Sequence, residues 1–146
     1  MEGDGILVYI AGPLFSQAEK EFNEKLKRKL SDYVETYLPQ DEGQLLVDLL
    51  KSGESAHNAA KIVVERDLTA IEKCDLFVIV LDGRTVEEGS AFELGIAFEK
   101  KKKCIGVQTD PRREISTINN PMIELACSRI FGTIEELIFF IRDEIS

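Results

Sequence analysis

The sequence reads as an α/β protein built on one parallel sheet, and three observations lead there. Ile6–Ala11, Leu76–Leu81 and Cys104–Val107 are short, β-branched and almost continuously apolar, the composition of strands covered on both faces. Stretches with helical periodicity, at 15–33, 56–73, 88–102 and 133–145, alternate with them along the chain. The chain has 146 residues, 44% hydrophobic and 31% charged, which suffices for one packed core and leaves no room for two.

Taken in order, Ile6–Ala11 is the first strand and 15–33 the helix that follows. Val34–Leu38, closed by Pro39, is the second strand. Residues 40–57 form an irregular surface excursion around a short helix at Leu45–Leu50. The remaining helices and strands then alternate, and a short fifth strand at Arg129–Phe131 completes the sheet. The predicted fold is a doubly wound, flavodoxin-like (Rossmann-like) α/β domain spanning 1–146, with five parallel strands in the order 2-1-3-4-5. The Lys100–Lys103 run falls where a helix ends and reads as a solvated cap on the negative end of its dipole, not as a binding patch.

Composition narrows the function classes. Lys and Arg total 18 against 27 Asp and Glu, a net charge of −9, so a nucleic acid backbone would be repelled and no nucleic acid partner is expected. The longest apolar runs fall far short of the roughly 18 residues a membrane span requires. The acidic start Met1-Glu2-Gly3-Asp4 is unlike a secretory leader, and a cytoplasmic location is expected. Cys74, Cys104 and Cys127 lack CxxC or Cys/His spacing and read as reduced, buried thiols. His57 is the single histidine, which disfavours a Ser/His/Asp triad and any transition-metal site, leaving only a carboxylate-bound Mg²⁺ open. The turn after the first strand lacks GxGxxG and GxxxxGK[ST] spacing, so no dinucleotide or ATP cofactor is expected.

In this fold class, ligands bind at the carboxyl ends of the strands. Glu93 follows the third strand, with Gly89 and Ser90 one helical turn before it and Ile96 and Ala97 one turn after. It is either a functional carboxylate in a small-residue niche or an exposed glutamate favouring the helix dipole. Asp67 interrupts the apolar stripe Ala60, Val63, Val64, Ala70, Ile71, so it is either paired with Arg66 or a loop amide, or tuned for a task. Tyr9, inside an apolar strand, reads by itself as a core aromatic whose hydroxyl finds a partner. Carboxylates acting together suit displacement at an anomeric carbon, where one attacks and another serves the leaving group.

Five elements carry a resemblance: Tyr9-x-Ala11-Gly12-Pro13-Leu14-Phe15-Ser16, Pro39-x-Asp41, Arg66-Asp67-Leu68, Glu87-x-Gly89-x-Ala91-x-Glu93-x-Gly95, and Asn120-x-Met122. In order and at this spacing, the chain resembles the nucleoside 2-deoxyribosyltransferase family from Tyr9 to about Met122. The resemblance implies an enzyme of nucleotide salvage that takes a 2′-deoxynucleoside and a free nucleobase and exchanges the base. It implies that Glu93 attacks C1′ to form a covalent deoxyribosyl-enzyme, so that two displacements retain configuration. Tyr9 is implied to hold that carboxylate, and Asp67 to contact the base and assist its protonation. Glu87 stands where the family often has aspartate and is implied to contact the base. Gly12, Phe15, Asp41 and Gly89 are implied to line the substrate site. Asn120 and Met122 are implied to come from a neighbouring subunit, making the protein a homo-oligomer with shared active sites.

Two other readings remain at this level. A related hydrolase group cleaves deoxynucleoside 5′-monophosphates with the same nucleophile and water as acceptor. The first turn carries neither an arginine nor a glycine cluster for a phosphate, and Asn120 suits a free 5′-hydroxyl, which favours transfer. A non-catalytic nucleoside-binding module is the rival from another class.

Overall fold

A computed structural model describes residues 5–110 and 118–145. Met1–Asp4, on which the expected location rests, lie outside the described residues. The strands are β1 (Leu7–Ala11), β2 (Glu35–Tyr37), β3 (Leu76–Val80), β4 (Lys103–Val107) and β5 (Arg129–Phe131). All pairings are parallel, in the order β2-β1-β3-β4-β5, as the sequence predicts. The helices are α1 (Gln17–Leu30), α2 (Gly43–Lys51), α3 (Ala56–Lys73), α4 (Glu88–Glu99), α5 (Pro121–Ala126) and α6 (Ile134–Phe140).

Strand side chains alternate between faces, and the sheet therefore makes two cores. Val8, Ile10, Val78, Val80, Ile105 and Val107 meet α1 and α6 through Leu26, Leu30, Leu137 and Phe140. Tyr9, Ala11, Phe77, Ile79 and Cys104 meet α3 and α4 through Ile71, Leu94 and Ala97. Both faces are covered, which is why the strand sequences are continuously apolar.

Local chemistry sets the helix ends. Ser16 caps α1 by accepting from the Glu19 amide, while Glu19 accepts from the Ser16 amide at 2.8 Å, a capping box that starts α1 two residues later than its periodicity suggests. α4 stops at Glu99, short of the expected 102, because Lys101 adopts a positive φ of 61°. The lysine run then departs from its expected role. Lys102 Nζ donates to the carbonyls of Glu72 (2.6 Å) and Cys74 (2.9 Å), so it caps the end of α3 instead of its own helix. The segment after Phe140 widens into a π turn at Ile141–Ile145. Pro39–Glu42 forms a 3-10 turn that leads into α2. All three cysteines are free and buried, and burial pushes Cys104 up to about 11 and Cys127 up to about 12, so they persist as thiols at neutral pH.

Gly12 closes β1 where two segments approach too closely for a side chain. A Cβ there would lie 3.0 Å from Val80 Cβ and 3.1 Å from Asn23 Oδ1. Asn23 is itself pinned, donating to the Pro13 carbonyl at 2.8 Å and to Gln40 Oε1 at 2.9 Å, so neither neighbour can retreat. Gly12→Ala is expected to destabilise the fold by about 1–3 kcal/mol, read as a lower midpoint in urea with an unchanged m value.

Candidate active site

Tyr9 and Tyr37 face each other across β1 and β2, and Tyr9 and Phe77 across β1 and β3, because the parallel register sets each pair directly opposite. Their rings stack in one row, with centroids 5.2 Å apart in both pairs. Each tyrosine hydroxyl then reaches a different carboxylate. Tyr9 donates to Glu93 Oε2 in a short hydrogen bond. Tyr37 donates to Asp67 Oδ1 at 2.8 Å.

Glu93 is brought to Tyr9 by α4, and Asp67 to Tyr37 by α3. Burial is the largest influence on Glu93 and raises its pKa to about 7; the Tyr9 hydrogen bond opposes the shift, and the charges of Asp67 and Glu87 add to it. Burial likewise raises Asp67, while the Tyr37 hydrogen bond opposes it. Tyr9 is fully buried, and burial together with the Glu93 charge pushes its phenol far above the usual range, so it remains a hydrogen-bond donor. The sequence alternatives for Asp67 resolve toward neither an Arg66 pair nor a loop amide. Arg66 binds Glu42 at 2.9 Å, and the partner of Asp67 is Tyr37. The expected apolar stripe is also narrower than its spacing implies: Ala70 and Ile71 are buried, but Val64 is half exposed.

Glu87 occupies the N-cap of α4. Its carboxylate accepts from the amides of Gly89 (2.8 Å) and Ser90 (2.7 Å) and from the Ser90 hydroxyl (2.7 Å). A Cβ at Gly89 would press on that carboxylate at 3.2 Å, so Gly89 serves the cap. Tyr9, Asp67, Glu87 and Glu93 thus form one electrostatically coupled group. Other sequence candidates lie apart from it. Asp41 pairs with Lys27 at 2.5 Å on the α1 side. Phe15 is 75% exposed at the entry to α1. Asn120 caps α5 by accepting from the Met122 amide at 2.9 Å. Both Asn120 and Met122 line a cavity of about 510 Å³ with Arg84, Thr85, Ala91 and Asn119. None of Tyr9, Asp67 and Glu93 lines that cavity.

Sequence reasoning missed Tyr37 and the hydrogen bonds from Ser90 to Glu87. Tyr37 could have been found from the 2-1-3 strand order, which makes Tyr9 and Tyr37 neighbours on one face. The Ser90 contact depends on the cap geometry, which spacing alone does not reveal. Among the described residues no cluster of His, Cys, Asp and Glu is arranged to hold a metal ion, and no helix is long and apolar enough to cross a membrane.

Fold and site together define a doubly wound α/β protein whose tyrosine-held carboxylates gather on the sheet face that α3 and α4 cover. Residues 8–125 match the family model described as nucleoside 2-deoxyribosyltransferase, and the chain belongs to that family. Its chemistry is therefore that of the N-glycosidic bond of nucleosides, as glycosyl transfer or as N-glycoside cleavage. No curated protein matches the sequence significantly. Among solved structures, a conserved protein of Enterococcus faecalis V583 is similar at 25% identity and a TM-score of 0.76, covering 97% of this chain and 99% of that one. A 2-deoxyribosyltransferase of Bacillus psychrosaccharolyticus shares the fold at 23% identity and a TM-score of 0.73, covering 90% of both chains. A CMP N-glycosidase of Clostridium botulinum shares it at 20% identity and 0.58, covering 90% of this chain and 95% of that one.

The raised pKa of Glu93 has a consequence for stability. An unfolded chain releases this proton in the ordinary carboxylate range, whereas the folded chain retains it up to about 7. Between those values the folded state binds more protons, so stability falls as pH rises through that window and then levels off. Glu93→Gln removes the buried charge. It is expected to be more stable than the parent at about pH 8 by about 1–3 kcal/mol, seen as a higher melting temperature, and to converge with the parent toward about pH 4. A lower melting temperature than the parent at the alkaline end would contradict the burial argument.

Proposed function

We propose that the protein transfers 2-deoxyribose from one nucleobase to another through a covalent deoxyribosyl-Glu93 intermediate. The observation that carries the proposal is the part-buried Tyr9–Glu93 hydrogen bond on the sheet face that α3 and α4 cover, within the span matched to the family. Tyr9 occupies Oε2 and leaves Oε1 to attack C1′ of a 2′-deoxynucleoside. Because Glu93 titrates near 7, a nucleophilic carboxylate is present at neutral pH while its basicity stays high. Asp67, raised by burial, delivers a proton to the departing base. The incoming base then attacks C1′ from the vacated side, and two inversions retain configuration. Glu87 contributes by fixing the start of α4, since its carboxylate is committed to the Gly89 and Ser90 donors.

Incubation with deoxyinosine and adenine, followed by separation of products, is expected to give deoxyadenosine and hypoxanthine. Glu93→Ala is expected to lower that exchange by roughly a thousandfold or more, with the far-UV spectrum of the parent. Near-normal turnover would remove Glu93 from the nucleophile's role.

A specific observation favours a second reading. Arg84 and Thr85 line the same cavity as Asn120 and supply a cation and a hydroxyl suited to a 5′-phosphate. The CMP N-glycosidase fold relative accords with hydrolysis of nucleotides. Deoxyribose 5-phosphate and free base from a deoxynucleoside 5′-monophosphate, without exchange into adenine, would select this hydrolase.

We further propose that the working protein is a homo-oligomer whose sites are completed by Asn120 and Met122 of a neighbouring copy. Phe92, Met122 and Leu125 support this, being 70%, 81% and 80% exposed, an apolar set suited to burial against a second copy. Mixing inactive Glu93→Ala with inactive Asn120→Ala subunits is expected to regenerate measurable exchange activity. Full activity from a species that sediments as a monomer would exclude shared sites.

A further inference from the structure

Asp67 and Glu93 are held alike, each by one tyrosine of an in-register pair, yet only Tyr9 has a place in the reaction so far described. We propose that Tyr37 is a positioning residue that keeps the acidic proton of Asp67 on Oδ2, the oxygen left without a partner among the described residues, and thereby governs how well unactivated bases leave. The inference rests on the proton-donor role given to Asp67 above.

The single hydroxyl hydrogen of Tyr37 is donated to Oδ1 at 2.8 Å. Burial and the neighbouring carboxylate push this phenol above its usual range, so it keeps that hydrogen. A carboxylic acid carries its proton on one oxygen, and with Oδ1 already accepting, the proton resides on Oδ2. Asp67 Oδ2 accepts no hydrogen bond from the described residues. The titratable groups acting on Asp67 are Tyr37 from β2, Glu42 from the 3-10 turn and Arg66 from its own helix, and Asp67 in turn acts on Tyr9 of β1 and Glu93 of α4. The one cation among them, Arg66, is engaged with Glu42. A terminal carboxyl torsion is otherwise broad and nearly two-fold, so without the phenol the proton would exchange between both oxygens. Stacking on Tyr9 at 5.2 Å limits movement of the Tyr37 ring.

The step balances. As Glu93 Oε1 forms its bond to C1′, the C1′–N bond breaks, its electron pair passes to the base nitrogen, and that nitrogen takes the proton from Oδ2. Asp67 remains as a carboxylate until the acceptor base attacks C1′ through nitrogen, the Oε1–C1′ bond breaks with its electron pair returning to Glu93, and the acceptor's N–H proton passes to Asp67.

Leaving groups that differ in their need for that proton test the inference. Hypoxanthine leaves deoxyinosine as an anion unless protonated, whereas 7-methyl-2′-deoxyinosine releases a neutral base without a proton. Tyr37→Phe, which keeps the stacked ring, is expected to lower kcat/KM for deoxyinosine by about 10- to 100-fold and for the 7-methyl substrate by less than about threefold. Tyr9→Phe, acting through the nucleophile, is expected to slow both substrates alike. Tyr37→His restores a ring N–H donor and is expected to retain more deoxyinosine activity than Tyr37→Phe, which keeps the inference open to refutation even if the phenylalanine variant folds poorly. Equal losses on both substrates for Tyr37→Phe would overturn the inference while leaving the reaction intact, provided Asp67→Asn is still selective. Loss of selectivity in Asp67→Asn itself, or a parent protein that cleaves neither substrate, would instead overturn the underlying reading.

Discussion

A carboxylate withdrawn from water must gain a proton or a strong donor, because desolvation penalises its charge. Glu93 lives under that constraint, and the architecture around it reads as the solution. Its donor, Tyr9, sits midway along an interior strand with its ring covered by Tyr37 and Phe77 from the strands on either side. That covering requires β1 to lie between β2 and β3, which the 2-1-3 order provides. The carboxyl edge is where the strand order reverses, and beneath it, on the face that α3 and α4 cover, two tyrosines divide two carboxylates between them.

The loops on the same edge are tied by polar groups rather than by apolar packing. Asn23 joins the turn after β1 to Gln40 beyond β2. Asp82, just past β3, accepts from the amides of Thr109 (2.7 Å) and Asp110 (2.9 Å) beyond β4. Gln108 and Asn119 exchange amide hydrogen bonds at 3.0 and 2.8 Å. Such pairings are directional, so they hold the edge in one arrangement where hydrophobic contacts alone would tolerate several.

Much of this was legible from residues alone because burial on both faces leaves an unmistakable strand signature, and the alternation of helices leaves little topological choice. Glu93 and Asp67 stood out because each interrupts an apolar pattern. What stayed hidden depends on register or on rotation of a side chain. The pairing of Tyr37 with Asp67 needs Tyr9 and Tyr37 opposite each other, and the capping bonds of Glu87 need one particular fold of the loop after β3. Lys102 misled for a similar reason: a helix-end lysine serves the nearest carbonyls in space, which here belong to the preceding helix in the chain.

The Glu87 cap also acts as an angular reference for everything downstream on α4. Each helical residue turns the side-chain direction by about 100°, so the interval from cap to nucleophile sets the bearing of Glu93 as a clock hand is set by its escapement. One residue gained or lost between Glu87 and Glu93 would swing the carboxylate away from the Tyr9 phenol while leaving the helix itself well formed. The same change at Lys100 or Lys101 would fall in the turn between α4 and β4 and leave that bearing as it is. The interval from Glu87 to Glu93 is thus fixed in length by the direction its last side chain must take.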